Sequence, residues 1–302
     1  MTRLAFRILL SLIAVAALLI LLGIREARKP VVVAQYTVSA PGMRCSHRPL
    51  RVVVVGDLHI SSIVTPPAQI AEVVRRANAL RPDLVVLVGD YFSNWWPADE
   101  ASRLEGLAPL AGLKPRIGTV AILGNNDWRD GEGQISAILK RVGVTVLNND
   151  VFVTPEVAVK GIAEITSNTA NPPLVEERYA SQLALQRIAA PPLTLWLAHD
   201  PIMFGRVKTT GDMLFTGHTH GGQFLPEITL PVIRTVVAMG RSLGWRAGWP
   251  AEHYVRGAYV SGDKRMIVTS GVGTSVLPLR LGVPPEIMLA RFTGCVGADS
   301  AR

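Results

Sequence analysis

Residues 51–60 read RVVVVGDLHI, a run of four valines followed at once by a glycine, an aspartate, a leucine and a histidine. Valine favours extended backbone and the run from Val52 to Val55 has no polar side chain, so it predicts a strand buried in the core. Asp57 and His59 come directly after that strand. Because ligands of α/β proteins bind outside the carboxyl ends of strands, this segment predicts both a sheet and a functional site at its edge.

The rest of the chain alternates between apolar runs and segments with helical spacing. Further strands are predicted at 84–88, 120–123, 144–147, 151–153, 157–162, 193–198, 213–216, 258–260, 266–269 and 287–292. Helices are predicted at 67–80, 98–113, 134–142 and 174–188. This alternation is typical of an α/β fold, in which helices cover the faces of a sheet. We expect one domain over residues 51–293, preceded by a linker with an edge strand (30–50) and followed by a short tail (294–302).

Polar residues follow four more of these strands. The turns are GD at 89–90, GNND at 124–127, AHD at 198–200 and GHTHGG at 217–222. Together with the turn after the valine run, these five turns hold four of the six histidines in the chain. Independent structural histidines would not be expected to sort in that way. The five turns therefore predict one shared site.

The side chains in these turns predict a metal site. Carboxylate, imidazole and amide groups are the N and O donors that suit zinc, manganese or iron. Alternation along an extended segment would place Asp57 and His59 on one side, and His218 and His220 likewise. The neighbouring glycines permit close approach of the backbone. The candidate metal ligands are Asp57, His59, Asp90, Asn125, His199, His218 and His220.

The order of motifs D-x-H, G-D, G-N-x-D, H and G-H-x-H resembles that of the calcineurin-like metallophosphoesterase superfamily. The segments LAHDP (197–201), GHTHGGQ (217–223) and GTSVLPLRLGVPPEI (273–287) are similar to its membrane-associated bacterial branch. That branch includes phosphodiesterase-like proteins and enzymes that cleave UDP-diacylglucosamine. The resemblance implies a four-layer αββα sandwich, with two mixed β-sheets flanked by helices.

The same resemblance implies how the ligands divide between two divalent ions, Mn, Zn or Fe. One ion would be held by Asp57, His59 and His220, and the other by Asn125, His199 and His218. Asp90 would bridge both and offset the repulsion between them. Two such ions clamp a phosphoryl group for attack by a bridging hydroxide. We therefore expect a metal-dependent phosphohydrolase that cleaves a phosphodiester or pyrophosphate bond, possible substrates being lipid- or nucleotide-linked.

Asn126 departs from the family pattern, which has G-N-H-D or G-N-H-E where this chain has GNND at 124–127. The usual histidine is thought to protonate the leaving group, whereas an amide cannot transfer a proton at neutral pH. We expect Asn126, together with Asp90, to be catalytic and the substrate to have a good leaving group. Asp127 and Asp200 either orient ligands or are solvated turn residues. The alternative function is a catalytically weak metal-binding scaffold at the membrane.

The N-terminus predicts a membrane anchor over residues 1–29. Ile8–Ile24 is seventeen residues without a charge, which as a helix is about 25 Å long, enough for a thin hydrocarbon core. No small-x-small cleavage site follows, so a retained anchor is favoured over a cleaved signal peptide. We expect a single-pass protein of the bacterial inner membrane. Both flanks carry positive charges, so the sequence does not determine the orientation.

The remaining features concern partners. The net charge of +8 is scattered and lacks interleaved aromatic residues, so we expect no nucleic-acid partner but a phosphorylated small-molecule or lipid substrate. Residues 224–249 are rich in apolar residues and arginines, so they form either a flap that contacts the membrane or a segment that covers the core. The same two alternatives apply to the tryptophans at 95 and 96. Arg129 is a candidate phosphate contact. His253 could supply a proton or be structural, and Cys45 and Cys295 could pair or be free.

Overall fold

The computed structural model describes residues 3–294 except for 47, 95, 188, 190, 192, 208–212, 228, 232–234 and 236–253. The chain begins with helix α1 (Arg3–Ala27), whose side chains are exposed as far as Leu22. Within the described ranges, α1 is the one helix that is long and apolar enough to cross a membrane.

The valine run forms a central strand of the first sheet. The strands of this sheet are β1 (Val32–Ser39), β2 (Leu50–Val55), β3 (Leu84–Leu87), β4 (Gly118–Ala121), β5 (Thr145–Val146) and β12 (Glu286–Thr293). Their order is β1-β12-β2-β3-β4-β5. Neighbours are parallel except for β12 and β2, which are antiparallel.

The second sheet is also mixed. Its strands are β6 (Asp150–Val153), β7 (Ala158–Gly161), β8 (Thr194–Leu197), β9 (Met213–Thr216), β10 (Gly257–Ser261) and β11 (Lys264–Val268). Their order is β10-β11-β9-β8-β7-β6. The two outer pairs are antiparallel and the inner pairs are parallel.

Alternation along the strands builds four layers. Val52 and Val54 pack in the core between the two sheets, whereas Val53 and Val55 point the other way, as expected for successive side chains of a strand. That outer face of the first sheet is covered by α2 (Pro67–Ala79), α3 (Glu100–Leu107) and α4 (Asn125–Arg141). The outer face of the second sheet packs against Val175 of α5 (Pro172–Gln186). The predicted αββα sandwich of two mixed sheets is confirmed.

Two helices differ from their predicted bounds by more than two residues. Helix α4 begins at Asn125 rather than at 134, because the Asp127 carboxylate accepts a hydrogen bond from the Gly124 N–H and caps the first turn. Gly131, with φ 111°, interrupts the helical conformation. The helical spacing of apolar residues therefore begins only after it, and the sequence pattern does not reveal the first turn. Helix α3 ends at Leu107, and the predicted remainder is a 3₁₀ turn over Ala108–Gly112.

Candidate metal centre

The turns after β2, β3, β8 and β9 and the start of α4 meet at one edge of the sandwich. The backbone there is left-handed, with φ of 50° at Asp57, 38° at His59, 57° at Asp90, 70° at His218 and 52° at His220. The predicted extended alternation of these residues is therefore wrong. The Asp57 and His59 N–H groups donate instead to the neighbouring turn after β3, to Gly89 O at 3.0 Å and to Asp90 O at 3.1 Å.

One group of donor atoms comes from Asp57, His59 and His220, all three buried. Their ligand atoms lie within 4.8 Å of one another. The Nε2 atoms of His59 and His220 are 3.1 Å apart, and His220 Nε2 is 3.7 Å from Asp57 Oδ1. Two imidazole nitrogens and a carboxylate that converge in this way form a set suited to a divalent cation.

A second group comes from Asp90, His199 and His218, whose ligand atoms also lie within 4.8 Å of one another. The His199 Nδ1 lies 2.7 Å from Val88 O, so it donates its proton to that carbonyl and leaves Nε2 as the ligand atom. A backbone carbonyl on the far nitrogen is the usual way in which a metal-binding histidine is held in one tautomer.

Asp90 lies between the two groups. Its Oδ2 is 3.4 Å from His59 Nε2 and 3.3 Å from His199 Nε2. Asp57 Oδ2 and Asn125 Oδ1 are buried and have no hydrogen-bond partner among the described residues. Because a buried oxygen without a partner costs free energy, these two atoms fit the role of cation ligands. The seven predicted metal ligands are thus brought together, and the residues present suit two metal ions.

Burial and the charges around Asp90 shift the pKa values of this cluster in opposite directions. Burial acts to raise the pKa of Asp90, but the imidazoles of His199 and His59 outweigh it and hold that pKa well below its usual range. Burial acts to lower the pKa of His199, yet the Asp90 carboxylate raises it to about 10. Burial and the charge of His199 lower the pKa of His218. Burial and His59 lower the pKa of His220 well below its usual value.

Glycines bring the backbone close to the ligands. A Cβ added to Gly217 would overlap Asp57 Oδ2, and one added to Gly271 would lie 2.5 Å from Asp57 Cβ. A Cβ on Gly273 would lie 2.8 Å from His59 Cβ. Such distances are below any real contact, so these positions accept only glycine without a shift of the turn.

Asp127 is buried and orients the second group. Its Oδ2 accepts hydrogen bonds from the N–H groups of Asp90 and Gly124, both at 2.8 Å, and its Oδ1 accepts from Tyr91 N–H at 2.9 Å. These bonds join the turn after β3 to the start of α4. Asp200 caps the turn after His199 through a 2.8 Å bond from the Ile202 N–H.

Asn126 contacts the bridging position directly. Its backbone N–H donates to Asp90 Oδ1 at 3.0 Å and its side-chain Nδ2 donates to Asp90 Oδ2 at 2.6 Å. Asn126 also lines a cleft beside His59, together with Asn94, Arg129 and Val276. The cleft gives the cluster an opening in which a substrate can lie.

Sequence reasoning did not single out Arg280, a fully buried arginine behind the first group. Its guanidinium donates to the carbonyls of Gly273 at 2.9 and 2.5 Å, of Ser270 at 2.7 Å and of Gly271 at 3.1 Å. Burial lowers the pKa of Arg280 to about 10, so it remains charged at pH 7. It holds in place the loop that packs on Asp57 and His59. An arginine within an apolar, glycine-rich stretch was the available signal.

Other predicted residues have different outcomes. Arg129 borders the cleft, where its guanidinium donates to Asn94 Oδ1 at 2.5 Å and to Asp130 Oδ1 at 2.9 Å. Trp96 packs on the core and donates to Ser102 O at 2.9 Å. Trp95, His253 and most of residues 224–249 lie outside the described residues.

Comparison with known proteins assigns the family. Residues 50–222, more than half of the chain, match the family described as calcineurin-like phosphoesterase. The chain belongs to this family. Phosphodiesterase YaeI of Escherichia coli is 30% identical over 251 residues, which cover 80% of this chain and 81% of that protein. The family resemblance predicted from the motifs is therefore confirmed.

Two other relatives match a larger share of this chain. The transmembrane protein with metallophosphoesterase domain of Danio rerio is 26% identical over 298 residues, 94% of this chain but 62% of that protein. The chain therefore spans less than two thirds of that relative. The uncharacterized metallophosphoesterase YkoQ of Bacillus subtilis is 25% identical over 292 residues, 93% of this chain and 98% of that protein. Family and candidate metal groups together support metal-dependent phosphoester hydrolysis by this chain.

Proposed function

We propose that this phosphoesterase hydrolyses a phosphodiester or pyrophosphate bond at a centre of two divalent cations. The observation that carries the proposal is the position of Asp90 Oδ2, 3.4 Å from His59 Nε2 and 3.3 Å from His199 Nε2. One cation would be held by Asp57, His59 and His220, the other by Asn125, His199 and His218, with Asp90 shared. Bound cations of this kind polarise a phosphoryl oxygen and lower the pKa of a water molecule.

The protein's own groups shape the rest of the chemistry. The Asp90 carboxylate reduces the repulsion between two cations, and neutral imidazoles leave the centre positive, which favours an anionic substrate. The Asn126 amide faces Asp90 at the cleft and can donate a hydrogen bond but no proton. A substrate with a good leaving group, such as a phosphoanhydride or an acidic ester, therefore suits this centre. Arg129 lines the cleft wall and would contact a second phosphate oxygen of the bound substrate.

The cleft and α1 support the proposed substrate class. The proposed substrate is a phosphorylated small molecule or a phosphorylated lipid, in which the phosphate is linked to a lipid or to a nucleotide. A lipid substrate fits this chain because α1 is a candidate membrane span. The name of the E. coli relative, a phosphodiesterase, favours the diester. We infer that α1 is retained as a single-pass anchor in the bacterial inner membrane.

The test is a substrate panel on the purified full-length chain with manganese. The panel contains an aryl phosphodiester, an alkyl phosphodiester, a nucleotide-linked pyrophosphate and a phosphomonoester. We expect turnover of a diester or the pyrophosphate, about two bound metal ions per chain, and a loss of about 100-fold or more in kcat/KM for Asp90→Asn. Asp263→Asn, in the exposed turn between β10 and β11, is the matched control and should retain activity. Bound metal without turnover of any ester would establish the scaffold alternative instead.

A further inference from the structure

The end of the candidate membrane span packs against a loop of the catalytic domain. Along α1 burial begins at Gly23, and Ala27 is also buried. The Arg280 N–H donates to Gly23 O at 3.0 Å. A Cβ on Gly23 would lie only 3.1 Å from Leu279 Cβ, so the helix and the loop are in close contact. The apolar run of α1 thus ends at the level of Leu279 and Arg280.

The same loop borders the metal centre. Ser275 and Val276 line the cleft that also contains His59. Val276 and Leu277 line an adjoining cavity beside His218 and the turn that follows it. One loop therefore lies between the end of α1 and the opening of the site.

Four exposed apolar side chains lie on this loop, on the segment bonded to it and on the segment bonded to the end of α1, and we name them the apolar rim. They are Val276, Leu277, Leu225 and Ile63, with exposed fractions of 80%, 51%, 41% and 40%. Val276 lies three residues before Leu279, a span of at most ~11 Å. The Leu225 N–H donates to Leu281 O at 2.7 Å, which holds Leu225 against the same loop.

Ile63 is joined to α1 itself. The Arg28 guanidinium donates to Ile63 O, from Nε at 2.8 Å and from Nη2 at 2.5 Å. Arg28 lies five residues after Gly23, about 7.5 Å further along the helix. Arg25, Arg28 and Lys29 place three positive charges at this end of α1, of which Lys29 is paired with Glu26. Cationic side chains at the end of a membrane span suit the phosphates of anionic lipids.

We propose that the apolar rim lies in the interface of the bilayer that α1 spans, so that the opening of the metal centre faces the lipid headgroups. The rim is continuous with α1, and this continuity identifies the bilayer, rather than a second copy of the chain, as its occupant. Aliphatic side chains beside cations are the composition that binds an anionic membrane surface. The location of the rim does not depend on the proposed hydrolysis. Its consequence, that a headgroup phosphoester has direct access, does rest on the proposed function.

Spin labelling tests the location of the rim without any activity measurement. A nitroxide is attached to Leu277→Cys in the full chain, in vesicles that contain anionic phospholipid. Its collision rates with oxygen and with a water-soluble nickel chelate are then compared. The matched control is Leu185→Cys on α5, a leucine that is 77% exposed. We expect the label at 277 to favour oxygen and the label at 185 to favour the chelate.

Two results would overturn the proposal. One is equal, aqueous accessibility at both positions. The other is spin–spin broadening at position 277, caused by two labels lying close together, that is the same in vesicles and in detergent. It would show that a second copy of the chain covers the rim.

An activity measurement tests the consequence for substrates. Ile63→Asp places a charge in the rim, and Val260→Asp places one at a 72% exposed valine on β10. We expect Ile63→Asp to lower hydrolysis of a vesicle-embedded phosphodiester by about threefold or more and to leave a soluble aryl diester unaffected. Val260→Asp should change neither rate. Equal rates of wild type and Ile63→Asp on the embedded ester would refute direct access. Failure of wild type on both esters would refute the proposed hydrolysis and leave the spin-label result intact.

Discussion

At the scale of single residues, Asn126 occupies the position next to the shared ligand. Its Nδ2 donates to Asp90 Oδ2 at 2.6 Å, and an amide cannot protonate a leaving group. Because general acid catalysis contributes about 10²–10⁴-fold, we expect Asn126→His to raise the rate on an alkyl phosphodiester by about tenfold or more. An aryl diester, whose leaving group needs no proton, should gain little. Steady-state rates on the two esters check this.

Asn126→Ala is the companion variant. It removes the hydrogen bond to Asp90 without adding an acid, so both rates should fall by a similar factor. If histidine raised neither rate, Asn126 would not lie beside the leaving group.

Gly217 shows how a residue that binds no metal can control a ligand. A Cβ at this position would overlap Asp57 Oδ2, so we expect Gly217→Ala to displace that carboxylate, remove metal from the first group and lower activity by about 100-fold. Metal content per chain and kcat/KM are the measurements. Gly133→Ala is the control, because its Cβ would meet no atom within 4 Å, and within helix α4 it should be neutral or stabilising by up to ~1 kcal/mol. Full metal content in Gly217→Ala would contradict the argument.

At the scale of elements, strands were easier to predict than the turns between them. Val52–Val55 of β2 and the whole of β3 are buried apolar runs, and composition alone identifies them. The candidate ligands were also readable, because polar residues directly after a strand stand out in the sequence. The left-handed turn at Asp57 was not, since the carbonyl that holds it belongs to Gly89. Asp127 likewise accepts a hydrogen bond from the Tyr91 N–H, 36 residues away. No local sequence pattern indicates such a distant partner.

The loop held by Arg280 makes a prediction about stability. Its guanidinium donates to four buried carbonyls, those of Ser270, Gly271, Gly273 and Val283. Lysine ends in a single nitrogen and lacks the Nε and Nη1 donors that bond Gly273 O and Val283 O, and each carbonyl left unpaired costs about 1–3 kcal/mol. We expect Arg280→Lys to lower the free energy of unfolding by about 2–4 kcal/mol and to reduce metal occupancy, measured by urea unfolding and metal analysis.

The control for that element lies on β12. Arg291 donates to Gln35 Oε1 at 3.0 Å in an exposed setting, so Arg291→Lys should change stability by less than about 1 kcal/mol. If Arg280→Lys were as stable and bound as much metal as Arg291→Lys, the loop would not depend on the Arg280 guanidinium for its stability.

At the scale of the whole molecule, metal binding is coupled to protons. In the metal-free protein the pKa of His199 is about 10, above the unfolded value of about 6.5. The proton on His199 therefore stabilises the metal-free fold fully below about pH 6.5, and this contribution is lost as pH rises towards 10. A metal ligand must be neutral, so we expect release of about one proton per chain on metal binding at pH 7.5. Calorimetry in buffers of different ionisation enthalpy measures it, and heats that do not depend on the buffer would refute it.

The placement of the catalytic domain relative to the membrane is the remaining property of the whole molecule. Cys45 is disulfide-bonded, and the only other cysteine in the sequence, Cys295, lies outside the described residues. Disulfides persist in oxidising compartments, so we expect the domain after α1 to lie outside the cytoplasm. In intact cells a membrane-impermeant maleimide should then label Leu185→Cys, at an exposed position of α5, and leave Arg7→Cys, near the start of α1, unlabelled. The opposite labelling would place the domain in the cytoplasm. Disulfides are rare in that reducing compartment, so this result would contradict the argument from Cys45.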